Sequence, residues 1–191
     1  MTFNWTSTGR RLAAGLAVTL VAALLPVVAL GATGTATIAA GSLGFASTPP
    51  NVTFSATLNG LDQTVSTTQA LDVGDATGSG TGWNITATST TFTTGGGSPH
   101  LLSTTATSLT GAPSDACDAS ATCTLATNSV TYPYVLPAAA TAPTATKMYN
   151  AAANTGLGNQ TVTPTWRLSV PANTFAGTYT STWTISLVSG P

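Results

Sequence analysis

Apolar and hydroxyl-bearing residues alternate along several segments of this chain, and this two-residue period narrows its possible folds more than any other feature. The alternation is clearest in residues 52–58, 83–88, 166–170 and 178–187. Successive side chains of a β-strand point to opposite faces, so such a period indicates strands with one buried and one wet face. We therefore predict a strand in each of the four segments.

Weaker strand patterns and frequent turn signals fill much of the remaining chain. Weaker strands are predicted near residues 64–73, 101–109, 122–125 and 129–136, with Gly- and Pro-containing turns between them. Residues 137–153 are rich in Ala, Pro and Thr and are predicted to form a long loop, with a short helical turn near residues 148–153. The predicted fold is all-β: an antiparallel β-sandwich or barrel-like single domain.

The N-terminal residues have the three parts of a secretory signal. Arg10 and Arg11 precede an apolar run over residues 12–30, and small residues follow from Gly31 onward. This order favours a cleaved leader over residues 1–32 and a β domain over residues 33–191, with an uncleaved membrane anchor as the alternative. Both readings place the domain outside the cytoplasm, and no membrane span is expected once the leader is removed.

Cys117 and Cys123 are the two cysteines of the chain. In an exported protein, an even pair at short spacing predicts a disulfide. A zinc site is not expected, because no second cysteine pair exists and His100 is remote in sequence. No cofactor is expected either.

The scarcity of charge excludes several functions. Charged residues make up 5% of the chain, and beyond the leader two basic residues stand against five Asp. Nucleic-acid binding therefore has no electrostatic basis. The Asp residues are scattered and there is no Glu, so a glycosidase pair is improbable, and His100 has no nucleophile elbow to serve. Asp72 and Asp75 could hold a weak calcium ion, although turn capping is the more ordinary role. We do not expect an enzyme.

Two segments, residues 71–97 and 168–191, resemble the WxL domain of extracellular proteins from Gram-positive bacteria. The first contains a Gly-rich approach to Trp83-Asn84-Ile85, and the second contains Trp183-Thr184-Ile185 in the stretch TWTISLVSGP. Both triplets have Ile where the family has Leu, whereas residues 166–168 retain Trp-x-Leu. The resemblance implies an extracellular protein that binds peptidoglycan or another wall glycan without a covalent bond, alongside other surface proteins.

The two triplets are the candidate binding residues, with two interpretations left open. Within a strand, Trp83 and Ile85 share a face, and so do Trp183 and Ile185. Such residues usually form core. Alternatively, exposed indoles could stack on sugar rings while Asn84 and Thr184 bond to sugar hydroxyls.

Two functions are carried forward. The first is non-covalent binding to the cell wall, which predicts solvent-facing aromatic surface near Trp83 or Trp183. The alternative is a structural subunit of a surface assembly, such as a fibre, coat or adhesion complex. It predicts an exposed strand edge or an N-terminal segment, within residues 32–46, able to pair with a neighbour.

Overall fold

Twelve β-strands build the domain in the computed structural model, which describes residues 31–191. The predicted leader therefore lies almost wholly outside the described residues. The strands are β1 Leu43–Phe45, β2 Gln63–Thr68, β3 Leu71–Asp75, β4 Trp83–Thr90, β5 Thr107–Leu109, β6 Ser114–Cys117, β7 Tyr134–Val135, β8 Ala138–Ala139, β9 Thr146–Ala151, β10 Gly158–Thr163, β11 Thr165–Val170 and β12 Trp183–Ser189. The described residues contain no helix, and so none that is long and apolar enough to cross a membrane.

The strands of residues 31–191 form three sheets, and all lie in the compact unit Ile38–Pro191. Their orders are β1-β3-β10-β6, β2-β11-β5-β7 and β12-β4-β8, with β9 also pairing β4. Every pair is antiparallel except β4 with β8. The prediction of an all-β, mainly antiparallel sandwich is confirmed, and the sheets do not close into a barrel.

Three of the four clearest alternating segments contain strands, namely β4, β11 and β12. β4 and β12 pair along their whole lengths, from Trp83 opposite Ser189 to Trp183 opposite Ser89. β11 lies between β2 and β5. β4 and β11 lie between neighbouring strands, where alternation places one apolar face against the core, whereas β12 lies at the edge of its sheet.

Three sequence predictions are wrong. Residues 122–125 form no strand, and Thr124 makes an isolated bridge with Leu157. Residues 52–58 are extended but form no strand, because no neighbouring strand among the described residues pairs with them. Residues 137–153 do not form a long loop with a helical turn, since they contain β8 and β9. β9 escaped notice because its last four residues are all buried, so the expected polar and apolar alternation is missing.

The interior holds two apolar clusters. The larger is centred on β4 and includes the fully buried rings of Trp83 and Trp166. The smaller contains Leu102, Ala106, Leu168 and Val170, with partly buried aromatic rings at its margin. The smaller cluster is the less completely covered, and it underlies the groove described next.

Candidate binding groove

Trp83 and Ile85, from the first predicted triplet, belong to the core. Both side chains are 0% exposed. The Trp83 indole lies against Tyr149, with ring centroids 6.1 Å apart, and its Nε1 donates a 2.9 Å hydrogen bond to the Gly156 carbonyl. A buried ring whose single donor is already satisfied has no surface to offer a sugar. Of the two interpretations left open by the sequence, core packing is therefore the correct one for Trp83 and Ile85.

Trp183, from the second triplet, is only partly buried. Its ring contacts those of Trp166 and Phe92 edge to face, at centroid distances of 4.9 and 6.4 Å. The antiparallel register places Trp183 opposite Ser89 and Trp83 opposite Ser189. The two tryptophans thus lie about 20 Å apart along the strand pair, given a rise of about 3.4 Å per residue. The triplets do not form a common platform.

The polar residues of the two triplets, Asn84 and Thr184, also differ in their exposure to solvent. Asn84 is half-buried, and its Nδ2 donates a 2.7 Å hydrogen bond to the Gly190 carbonyl, so its role is to hold the end of the sheet. Thr184 is exposed and, with Trp183 and Ile185, lines a groove on the surface of the domain. Of the six predicted residues, only those of the second triplet reach this groove.

The groove has a volume of about 1290 Å³. Residues 48–58 line one side and residues 174–185 the other, while Leu102, Leu168 and Val170 lie at the floor. Sites for small molecules typically enclose about 300–1,000 Å³, so this groove is large enough for part of a polymer. The described residues that line it carry no charge. The groove is therefore suited in size and charge to an uncharged, elongated molecule.

Residues 51–58 form a wall whose main chain is largely free. Within the described part of the chain, they make no backbone-to-backbone hydrogen bond. Side-chain contacts hold the segment in place. The Phe54 ring meets Phe92 at 6.2 Å, Gln63 Nε2 donates a 2.9 Å bond to the Thr57 carbonyl, and Gln69 Nε2 donates a 2.7 Å bond to the carbonyl of the preceding Pro50. A segment held by side-chain contacts, with no backbone-to-backbone hydrogen bond of its own, resembles the edge of a sheet without a neighbour.

The opposite wall includes part of an edge strand, since residues 183–185 of β12 line the groove. Among the described strands, β12 pairs only with β4, so every second residue of β12 directs its N–H and C=O away from the sheet. Just before β12, the Tyr179 hydroxyl donates a 3.0 Å hydrogen bond to the Phe175 carbonyl. Phe175 is 61% exposed and stacks on His100, with ring centroids 3.9 Å apart. His100 therefore supports an aromatic ring at the groove mouth.

The acidic residues lie away from the groove. Asp75 Oδ1 accepts hydrogen bonds from the backbone N–H and the hydroxyl of Thr77, as expected of a turn. Asp72 and Asp118 line a smaller hollow of about 490 Å³. Burial raises the pKa of Asp72, and the neighbouring Asp118 carboxylate raises this pKa further. No three His, Cys or Asp side chains of residues 31–191 are grouped so that they could hold a metal ion.

The predicted disulfide between Cys117 and Cys123 is confirmed. It ties the end of β6 to the loop that follows, near the smaller hollow and away from the groove. Sequence reasoning missed the groove itself, although the alternating pattern of residues 52–58 was a signal for it.

A comparison with family profiles, curated proteins and solved structures finds no match to this chain.

Proposed function

We propose that this protein is an exported, non-enzymatic structural subunit of a cell-surface assembly, and that its groove receives an extended segment of another polypeptide. The observation that carries the proposal is that two main-chain stretches without a strand partner on their outer side, residues 51–58 and residues 183–185 of the edge strand β12, line one groove. Each edge offers hydrogen-bond donors and acceptors that a protein interior would normally pair.

An inserted strand would satisfy both edges at once. Its backbone would bond to one wall on each side, and alternate side chains would point down to the apolar floor. The smaller cluster would gain the cover that it lacks, since Phe92 and Tyr179 at its margin are only partly buried. Main-chain bonds supply affinity in this mode of recognition, while the floor selects side chains by size.

Ser55→Pro tests the proposal. Proline removes the backbone N–H, and neither this N–H nor the Ser55 side chain has a hydrogen-bond partner within residues 31–191, so the isolated domain should keep its stability. Strand pairing along this wall should fail, because a ladder donor is lost and the ring obstructs a neighbour. We expect protein extracted from the producing cells to shift from high-mass complexes to monomer. Ser55→Ala, which keeps the N–H, is the matched control.

High-mass complexes that persist in a folded Ser55→Pro variant would contradict the proposal. Loss of the complexes in the Ser55→Ala control as well would also contradict it, because the effect would then not depend on the backbone donor. Equal free energies of unfolding for the variant and the wild type establish that folding is not the cause of a shift.

Non-covalent binding to the cell wall is the second candidate. The observation that favours it is that the exposed ring of Phe175 and the partly exposed ring of Trp183 both line an uncharged groove rich in hydroxyl groups. Sugar rings stack on aromatic faces, and the resemblance to WxL domains supports peptidoglycan as the ligand. Attraction by charge would not contribute, because beyond the leader the chain has more Asp than Lys and Arg.

Sedimentation with insoluble peptidoglycan tests this candidate. Phe175→Ala should reduce the bound fraction at least several-fold, whereas Leu61→Ala should not, since Leu61 is 69% exposed and does not line the groove. If the folded wild type stays in the supernatant, the wall-binding function is wrong for this ligand.

A further inference from the structure

We infer that the strand received by the groove is residues 33–40 of a second copy of this chain, so that copies join head to tail. The inference rests on the proposed function, because it names the partner of the same groove. Each chain would then contribute one half of the contact through its groove and the other half through its N-terminal segment.

Residues 33–40 have the sequence of a strand but form none. Every residue from 31 to 42 is exposed, and the first strand begins only at Leu43. The segment alternates strictly until its last two residues: Thr occupies positions 33, 35 and 37, while Gly34, Ala36, Ile38 and Ala40 occupy the other face. Such alternation is typical of a strand with one apolar face and one wet face. Ile38, its single large apolar side chain, is 94% exposed.

The segment and the groove match in three respects. Eight residues span about 26 Å as a strand, and the free wall over residues 51–58 has the same length. Neither the segment nor the described groove lining contains a charged residue, so no charge would be buried unpaired. The small residues at positions 34, 36 and 40 suit a groove whose lining already includes the rings of Phe54 and Phe92, with Ile38 as the one bulky anchor.

A head-to-tail contact of this kind could be repeated from copy to copy without limit. A groove on one copy and a segment on the next are different surfaces, and repeated contacts of this kind form a ring if they close and a filament if they do not. A single protein would therefore be able to build a fibre without any other component.

Two variants, each lacking one half of the contact, test the inference. Ile38→Asp damages the segment and leaves the groove intact, while Ser55→Pro damages the groove and leaves the segment intact. Purified exported wild type should increase in mass with concentration, as measured by light scattering. Each variant alone should remain monomeric, with self-affinity reduced at least about tenfold by the loss of one buried Ile or of the pairing donors.

An equimolar mixture of the two variants should give a dimer and nothing larger, because it contains one working groove and one working segment per pair. A synthetic peptide of residues 33–40 should bind to the Ile38→Asp protein and not to Ser55→Pro. Leu61→Asp is the control for an added charge on an exposed surface outside the groove, and it should assemble like the wild type.

The alternative outcomes are distinct. If purified wild type stays monomeric and the peptide does not bind, while surface extracts still contain complexes that Ser55→Pro abolishes, the groove takes a strand from a different protein and this inference is wrong. If the surface complexes are also unaffected by Ser55→Pro, the proposed function fails as well. A monomer whose own residues 33–40 are protected from amide exchange would overturn the second copy as the partner.

Discussion

The indole Nε1 of Trp83 donates a 2.9 Å hydrogen bond to the carbonyl oxygen of Gly156, which lies 73 positions further along the chain. Gly156 has a positive φ of +74°, and a Cβ placed on it would lie 2.5 Å from the same Nε1 atom. The ring and the turn therefore fit together only while position 156 has no side chain. This contact fixes the orientation of the largest buried ring in β4.

Gly156→Ala should therefore lower the free energy of unfolding by about 2–5 kcal/mol, because it adds a left-handed backbone cost to clashes with Ala151 Cβ and with the buried indole. Chemical denaturation measures the change. Gly95→Ala is the matched control, since Gly95 has a similar φ of +69° but open space around it, and should cost only about 1–2 kcal/mol. Equal losses in the two variants would show that the contact with Trp83 is unimportant.

Gln69 connects the second buried indole to the groove wall. Its Oε1 accepts a 2.9 Å hydrogen bond from Trp166 Nε1, while its Nε2 donates to the Pro50 carbonyl. Gln69→Leu should destabilise the domain by about 1–3 kcal/mol, because the indole N–H loses its partner. The same change should speed protease cleavage within residues 51–58. Adding Trp166→Phe should cost less in Gln69→Leu than in the wild type, and additive losses would contradict this assignment.

Asp115 should make stability depend on pH. Burial raises the pKa of its carboxyl, although the N–H of Ala126 donates a 2.9 Å hydrogen bond to Oδ2 and partly opposes this shift. The folded state therefore holds the proton to higher pH than the unfolded state, whose Asp pKa is about 3.9. The contribution of Asp115 is favourable below about pH 4 and is lost as the pH rises through the folded pKa.

Asp115→Asn should remove this part of the pH dependence, because the amide can still accept from Ala126 and does not ionise. Urea denaturation from acid to neutral pH should show the free energy of unfolding of the variant rising relative to that of the wild type as the pH rises. The effect of the substitution should be smallest at the acid end. Parallel curves for the two proteins would exclude Asp115 as the cause.

Reduction of the disulfide should loosen one edge of the domain without unfolding it. Cys117 and Cys123 are six positions apart, and closing so short a loop contributes about 2 kcal/mol in the chain-entropy model. Reduction should speed amide exchange in β6 and leave β4 and β12 unchanged, because those strands belong to another sheet. The double variant Cys117→Ser, Cys123→Ser should not respond to reductant, and a response would mean that the reductant acts elsewhere.

Strands with one wet face were predictable, and strands without one were not. β11 and β12 contain both apolar and hydroxyl-bearing residues in alternation, so the period predicted them. In β9, Met148 to Ala151 are all buried, and a short apolar run of this kind has no strand period. The disulfide was predictable from the short spacing of the two cysteines together with the expectation of export.

The binding site was less predictable, since a period describes a strand and not its neighbours. Residues 52–58 have the pattern of a half-buried strand, yet the structure gives them no strand partner. Similarly, a Trp in a strand pattern can face either side, and β4 is largely buried on both. Only the sheet order distinguishes Trp83, at a central strand, from Trp183, at an edge.

The sheets join strands that are far apart in the chain, as β4 with β12 and β2 with β11 demonstrate. Pairing over such separations has a loop-closure entropy cost that precedes any stabilising contact. Domains of this kind therefore fold in milliseconds to seconds rather than microseconds. All three sheets in the described residues combine strands from early and late in the sequence. An emerging chain would therefore expose its apolar strand faces until nearly all of it is present, so folding kinetics, as well as equilibrium stability, would govern how much protein reaches its working form.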